Sequence, residues 1–228
     1  MAPARRAHDR RGAERAGTVE TRLEVRPRWP LRLPTGGSDG VMRARAGVLE
    51  RLLHVDGEPV VVRVAQPTGT RVVFAARSET APAAGEAIAR MRFALGVDDD
   101  LRSFHERFRW DPLIGPGVRR APWRRPVRRP EPFEALAWAV TEQLIDAPRA
   151  IAIQRRIVAK LGRRCETTGL RDLPDAARLA SVSPALLESY DLSAGRASAL
   201  IKAAREVAAG RVDLHADVER GWRRLRAI

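Results

Sequence analysis

At 228 residues, 44% of them hydrophobic, the chain is long enough to bury a core as one larger domain or two small ones. Its 42 basic against 28 acidic residues leave a formal charge of +14 and a pI near 11.5; nucleic acid is the leading partner class for such a balance, a merely basic surface the other reading. The single cysteine, Cys165, excludes a disulfide framework and any paired-cysteine metal or iron–sulfur centre, no run approaches the roughly 18 apolar residues of a membrane span, and the N-terminus lacks a signal peptide's apolar core. The expected compartment is the cytoplasm.

Residues 1–26, with Arg5, Arg6, Arg10, Arg11 and Arg15, read as a disordered basic tail. From Trp29 to about Ser78, β-rich runs (Val41 to Arg45, Val48 to His54, Pro59 to Ala65, Arg71 to Ala75) are punctuated by Asp56-Gly57 and Pro67-Thr68-Gly69, which predicts an antiparallel meander. Pro82 to Leu95, stopped by Gly96, predicts a helix covering one sheet face. Asp98, Asp99 and Asp100 open a second helix; adjacent helical residues point apart, so the triplet reads as capping and not as a metal site. These elements make an α/β unit over residues 27–112.

Residues 113–130 form a linker rich in Pro and Arg, with Arg119, Arg120, Arg124, Arg125, Arg128 and Arg129 in a stretch that predicts no regular helix. Such a linker alone reads as merely solvated; beside a DNA-binding unit the other reading is that these arginines lie along phosphates. The remainder, 131–228, is helical. Glu131-Pro132 starts a helix in which Phe133, Leu136, Val140 and Leu144 recur at spacings of three and four; by this period Leu144 is a core residue. Ala147 to Leu161, short segments after Pro174 and after Ser183-Pro184, and a segment capped by Ser193 with an Ala197, Leu200, Ile201, Ala204, Val207, Ala208 stripe complete a bundle, with Val218, Trp222 and Leu225 on a last helix opened by Asp217. Trp138 and Trp222 read as core, and Trp110 and Trp123 as rings able to stack on bases. The fold class is thus α+β, a meander with covering helices followed by an all-α bundle.

Pro132-Phe133-Glu134-Ala135-Leu136, Glu142-Gln143-Leu144-Ile145, Leu192-Ser193 followed by Arg196-Ala197, Gly210 to Leu214 and Asp217 to Leu225 occur in an order that resembles the helix-hairpin-helix DNA glycosylases, in particular the DNA-3-methyladenine glycosylase II branch. The resemblance covers residues 113–228 and, more loosely, the meander. It implies base-excision repair of duplex DNA by a monomer without cofactor or metal, in which an alkylated purine such as 3-methyladenine is extruded and its N-glycosidic bond hydrolysed. It places the wedge that fills the vacated stack at Leu144 beside Gln143.

The same resemblance implies a Pro-Gly-any-Gly hairpin that holds phosphate and a catalytic aspartate after it. Neither motif occurs up to Ile228, so the bundle reads as incomplete and this polypeptide as having little glycosylase activity. Asp191, Asp213 and Asp217 read as capping or solvent-exposed residues instead of substitute catalysts. A non-catalytic DNA-binding or damage-sensing protein is the alternative reading.

Overall fold

The computed structural model describes residues 18–35, 37, 39–216 and 218–228. Its strands are β1 (Val19–Val25), β2 (Met42–Arg45), β3 (Val48–Val55), β4 (Glu58–Thr68) and β5 (Arg71–Ser78). The helices are α1 (Ala81–Leu95), α2 (Arg102–Phe108), α3 (Gly115–Arg120), α4 (Pro132–Glu142), α5 (Ala147–Leu161), α6 (Ala176–Ala180), α7 (Pro184–Glu188), α8 (Ala194–Ala208) and α9 (Val218–Leu225). The fold class is the α+β arrangement expected.

The five strands form one antiparallel sheet in the order β1-β5-β4-β3-β2. Asp56 and Gly57, at φ 51° and 88°, make the tight β3–β4 turn that matches the right-handed strand twist. β2 to β5 are the predicted meander. The tail, however, gives way to β1, which pairs with β5 from Val19 against Ser78 to Val25 against Val72. Its alternation of charged with apolar residues suits an edge strand: Arg77 Nε donates to Glu20 Oε2 at 2.8 Å while Leu23 and Val25 turn to the core. Residues 1–17, including the five tail arginines, lie outside the described residues.

α1 covers the sheet with Ala83, Ala84, Ala87, Ile88 and Met91 against a core that includes Val60, Val62, Val64, Val72 and Phe74. It begins at Thr80, whose hydroxyl accepts from Ala83 N, and ends at Gly96 in the left-handed conformation, φ 60°. A Cβ at Gly96 would lie 2.6 Å from Asp99 Oδ2 and 2.8 Å from Arg125 Cδ. Gly96→Ala is therefore expected to destabilise the protein by about 1–3 kcal/mol through backbone strain and this crowding. Thermal unfolding measures it, and an unchanged midpoint would contradict the account.

The second core is the bundle, where Ile153, Ile157, Leu179, Leu187, Leu200 and Ala204 are fully buried and α6 and α7 cover α8. α5, α6 and α7 start on Asp146, Asp175 and Ser183, each accepting from a backbone N–H three residues on. Ser193 stands at the start of α8 but makes no such bond; its Oγ accepts from Arg196 Nε at 3.0 Å. The α8 stripe is shorter than predicted, Val207 being half-buried and Ala208 exposed. Trp222, expected in the core, is 56% exposed.

α4 departs most from its sequence pattern. Its buried residues are Glu134, Ala137, Trp138 and Thr141, and the predicted Phe133, Leu136, Val140 face lies at the rim. The rotation is set by Glu134, which is drawn inward by a buried charge from the sheet: Arg51 Nη2 donates to Glu134 Oε2 at 2.7 Å and to Asp172 Oδ1 at 3.0 Å. Asp172 also accepts from Arg163 Nη2 at 2.9 Å and faces His54 Nδ1 at 2.8 Å. This ion cluster joins sheet to bundle, together with Val41, which is buried in the bundle core, and Asp39, which accepts from Trp138 Nε1 at 3.0 Å.

The linker is likewise more ordered than expected, since α3 lies within it. Gly115 admits the turn because a Cβ there would lie 2.8 Å from Arg109 O. Beyond α3, Arg125 donates to the carbonyls of Gly96, Pro30, Trp123 and Trp29. Arg128 pairs with Asp99 Oδ2 at 2.8 Å and Arg129 with Asp39 Oδ2 at 2.7 Å. The aspartate triplet is therefore split: Asp98 takes Arg92, Asp99 takes Arg128, and only Asp100 accepts a helix-start N–H, that of Arg102.

Candidate nucleic-acid interface

α4 stops at Glu142, and Gln143 to Asp146 form a short loop before α5. Leu144 stands at this loop with φ 56°, a left-handed backbone rare for a side chain of its size, and with 96% of its surface exposed. Helical period placed it in the core; the chain in fact leaves the helix at Gln143, whose backbone is extended. Gln143 is exposed beside it. A large apolar side chain held out in water on a strained backbone costs stability on both counts.

The loop is anchored from below. Arg196 Nη1, on α8, donates to the carbonyls of Thr141 at 3.1 Å and Gln143 at 3.4 Å. Gln154, fully buried on α5, donates to Thr141 Oγ1 at 3.2 Å and Glu142 Oε1 at 2.8 Å. Beside it, the turn between α7 and α8 contains Asp191, also in the left-handed region at φ 76°. Arg149 in the first turn of α5 grips Asp191 with Nε at 3.0 Å and Nη2 at 2.8 Å, and this hydrogen bond holds the Asp191 carboxyl below its usual range. Arg156 donates to Tyr190 O at 3.1 Å. Two strained turns are thus tied to one rigid base by three arginines. Sequence reasoning assigned no role to Arg149, Arg156 or Arg196; an arginine in the first turn of a helix, where the dipole disfavours a cation, was the available signal.

An open groove of about 760 Å³ runs past α4, lined by Phe93, Arg128, Ala135, Trp138 and Glu142 among others. Of the linker arginines, Arg119, Arg120 and Arg124 are exposed, whereas Arg125, Arg128 and Arg129 are partly buried in the contacts given above. Arg119 donates to Arg109 O. Trp110 is 70% exposed and Trp123 half-buried beneath Arg32. Among the described residues no helix is long and apolar enough to cross a membrane and no cluster of His, Cys, Asp and Glu is arranged to hold a metal ion.

The backbone superposes on a 3-methyladenine DNA-glycosylase from Archaeoglobus fulgidus with a TM-score of 0.70 at 17% identity, covering 81% of this chain and 67% of that one. The chain shares the fold of this DNA glycosylase. MBOgg1 in complex with a low-affinity DNA ligand matches with a TM-score of 0.60 at 18% identity, over 85% of this chain and 65% of that one. In sequence, a DNA-3-methyladenine glycosylase of Bacillus subtilis (strain 168) is 29% identical over 116 residues, which are 50% of this chain and 38% of the relative. No family profile matches the chain. The chain therefore spans less than two fifths of its curated relative, and within the glycosylase fold it carries the sheet, the bundle and the Leu144 loop.

Proposed function

We propose that the chain is the lesion-probing part of a base-excision-repair DNA N-glycosylase for alkylated purines such as 3-methyladenine. The observation that carries this reading is Leu144, exposed on a left-handed backbone at the end of α4 and braced by Arg196. Duplex DNA bends over the loop, Leu144 enters the stack with Gln143 beside it, and the extruded base passes toward the groove along α4. Arg119, Arg120 and Arg124 contact phosphate, and the formal charge of +14 draws the protein to DNA.

Catalysis needs a carboxylate free to face the developing oxocarbenium ion. The carboxylates around the loop are engaged: Asp146 accepts from Arg149 N, Asp191 is held by Arg149, and Glu142 accepts from Gln154. Asp213 accepts from His215 N, and Asp217 lies outside the described residues. This favours, for the 228-residue polypeptide itself, the second reading of DNA binding without chemistry. The test incubates the purified chain with methylated duplex and with intact duplex across a salt series. Binding that weakens steeply with salt, with no 3-methyladenine released, is the expected result. Release of free base would show that one of these engaged carboxylates acts, and salt-insensitive or absent binding would overturn the DNA reading itself.

A further inference from the structure

On the α2–α3 corner, formed by residues 102–120, lies an apolar surface that the DNA reading does not use, although Arg119 and Arg120 at its edge are assigned to phosphate there. Phe104, Trp110, Leu113 and Ile114 are exposed there by 45%, 70%, 87% and 40%, an unusual concentration of large apolar side chains in water. They are held firmly. Asp111 Oδ1 accepts from the backbone N–H of Leu113 at 2.8 Å and of Ile114 at 2.9 Å, and Gly115 N donates to Asp111 O at 2.9 Å, so the turn presents Leu113 outward as a fixed knob. The guanidiniums of Arg109 and Arg119 lie over the Trp110 ring at 4.8 and 5.0 Å from its centroid. Next to this patch a hollow of about 370 Å³ is lined by Trp29, Arg102, His105, Glu106, Arg109 and Arg119, three arginines against one glutamate.

We propose that the α2–α3 corner is a docking site for an acidic, apolar segment of a partner protein, whose carboxylates enter the arginine hollow while its aliphatic or aromatic side chains cover Trp110, Leu113 and Ile114. Charge complementarity fixes the sign of the partner. The apolar knobs decide its class, because nucleic acid would satisfy the arginines through phosphate yet leave Leu113 and Ile114 in water. Pre-ordering of the turn by Asp111 removes much of the entropy cost of binding, which suits a flexible, extended ligand.

The test is fluorescence anisotropy of a labelled decapeptide containing aspartates interspersed with leucine and phenylalanine, titrated with the full 228-residue chain. Saturable binding is expected, weakened about tenfold or more by Leu113→Asp, the loss of one anchoring contact. Leu113 makes no contribution to either core, so this variant keeps its fold. Peptides with asparagine for aspartate, or serine for the apolar residues, should each lose binding as well. Absence of saturable binding, or equal binding by Leu113→Asp, overturns the proposal. So does displacement of the peptide by a single-stranded oligonucleotide whose own affinity falls on Leu113→Asp, which would reassign the corner to nucleic acid. No DNA is needed for the peptide titration, so a failure there leaves the glycosylase reading untouched.

Discussion

Asp172→Ala is expected to lower the unfolding free energy by about 3–5 kcal/mol, the cost of leaving a buried charge without its partner. Asp172 is 1% exposed and serves Arg51, Arg163 and His54 at once, besides accepting from Leu173 N at 2.8 Å. Without it, Arg51 keeps only Glu134 as a carboxylate partner while remaining sealed between sheet and bundle. Urea unfolding at neutral pH measures the loss, with Asp98→Ala, an exposed pair with Arg92, as a control expected within about 0.5 kcal/mol. If both variants behave alike, the buried cluster does not join the two units. The pH dependence has a definite sign. Burial alone would raise the Asp172 carboxyl, but the His54 hydrogen bond and the Arg51 and Arg163 charges bring it below its ordinary value. Its contribution is therefore complete above the unfolded value of about 3.9 and is lost as pH falls through the lower folded one. Glu134 runs the other way: burial pushes its carboxyl up against the opposing Arg51 and Arg129 charges, so its contribution favours the acid side.

Leu144→Gly is expected to move two measurements in opposite directions. Glycine accepts φ 56° without strain, and this relief, reduced by the greater freedom of glycine in the unfolded chain, stabilises the protein by up to about 1 kcal/mol. The wedge is lost at the same time. A side chain filling a gap in the base stack is worth about 1–3 kcal/mol, so the preference for a duplex with an abasic gap over an intact duplex should fall about 5- to 150-fold. Competition binding of the two duplexes, with a thermal melt of each protein, reads both effects. A more stable protein that keeps its preference for the gap would remove Leu144 from the DNA contact. Leu144→Ala should lose the preference without the gain in stability, since alanine shares the strained backbone.

The meander was legible because alternation and turn chemistry are both local: Asp56-Gly57 specifies its turn without help from the rest of the chain. The bundle helices α5, α6 and α7 were legible for the same reason, each starting on a side chain that caps it. β1 was not, because an edge strand with Glu20, Arg22 and Glu24 pointing outward carries the composition of a solvated tail, and only its pairing with β5 distinguishes the two. α4 was misread by one position because a stripe count treats Glu134 as surface, whereas Arg51, 83 residues earlier, turns it inward. The same non-locality hid the linker arginines. Nothing in an Arg-Pro-rich sequence says whether a guanidinium meets phosphate or, as for Arg125, four backbone carbonyls. The family resemblance placed a wedge at Leu144, while its period argued for the interior; what the period could not show was that α4 ends at Glu142, two residues before it.

The straps made by Arg125, Arg128 and Arg129 have a mechanical consequence. Units joined by a linker ordinarily swing about it, but here the connecting segment is nailed to carbonyls of the 29–30 and 96 turns and to Asp39 and Asp99. Under the proposed function, torque applied at the Leu144 tip by a bending duplex would find no hinge to absorb it. The sheet would then work as a counterweight, and the work of pressing on the DNA would go into distorting the duplex instead of folding the protein around it.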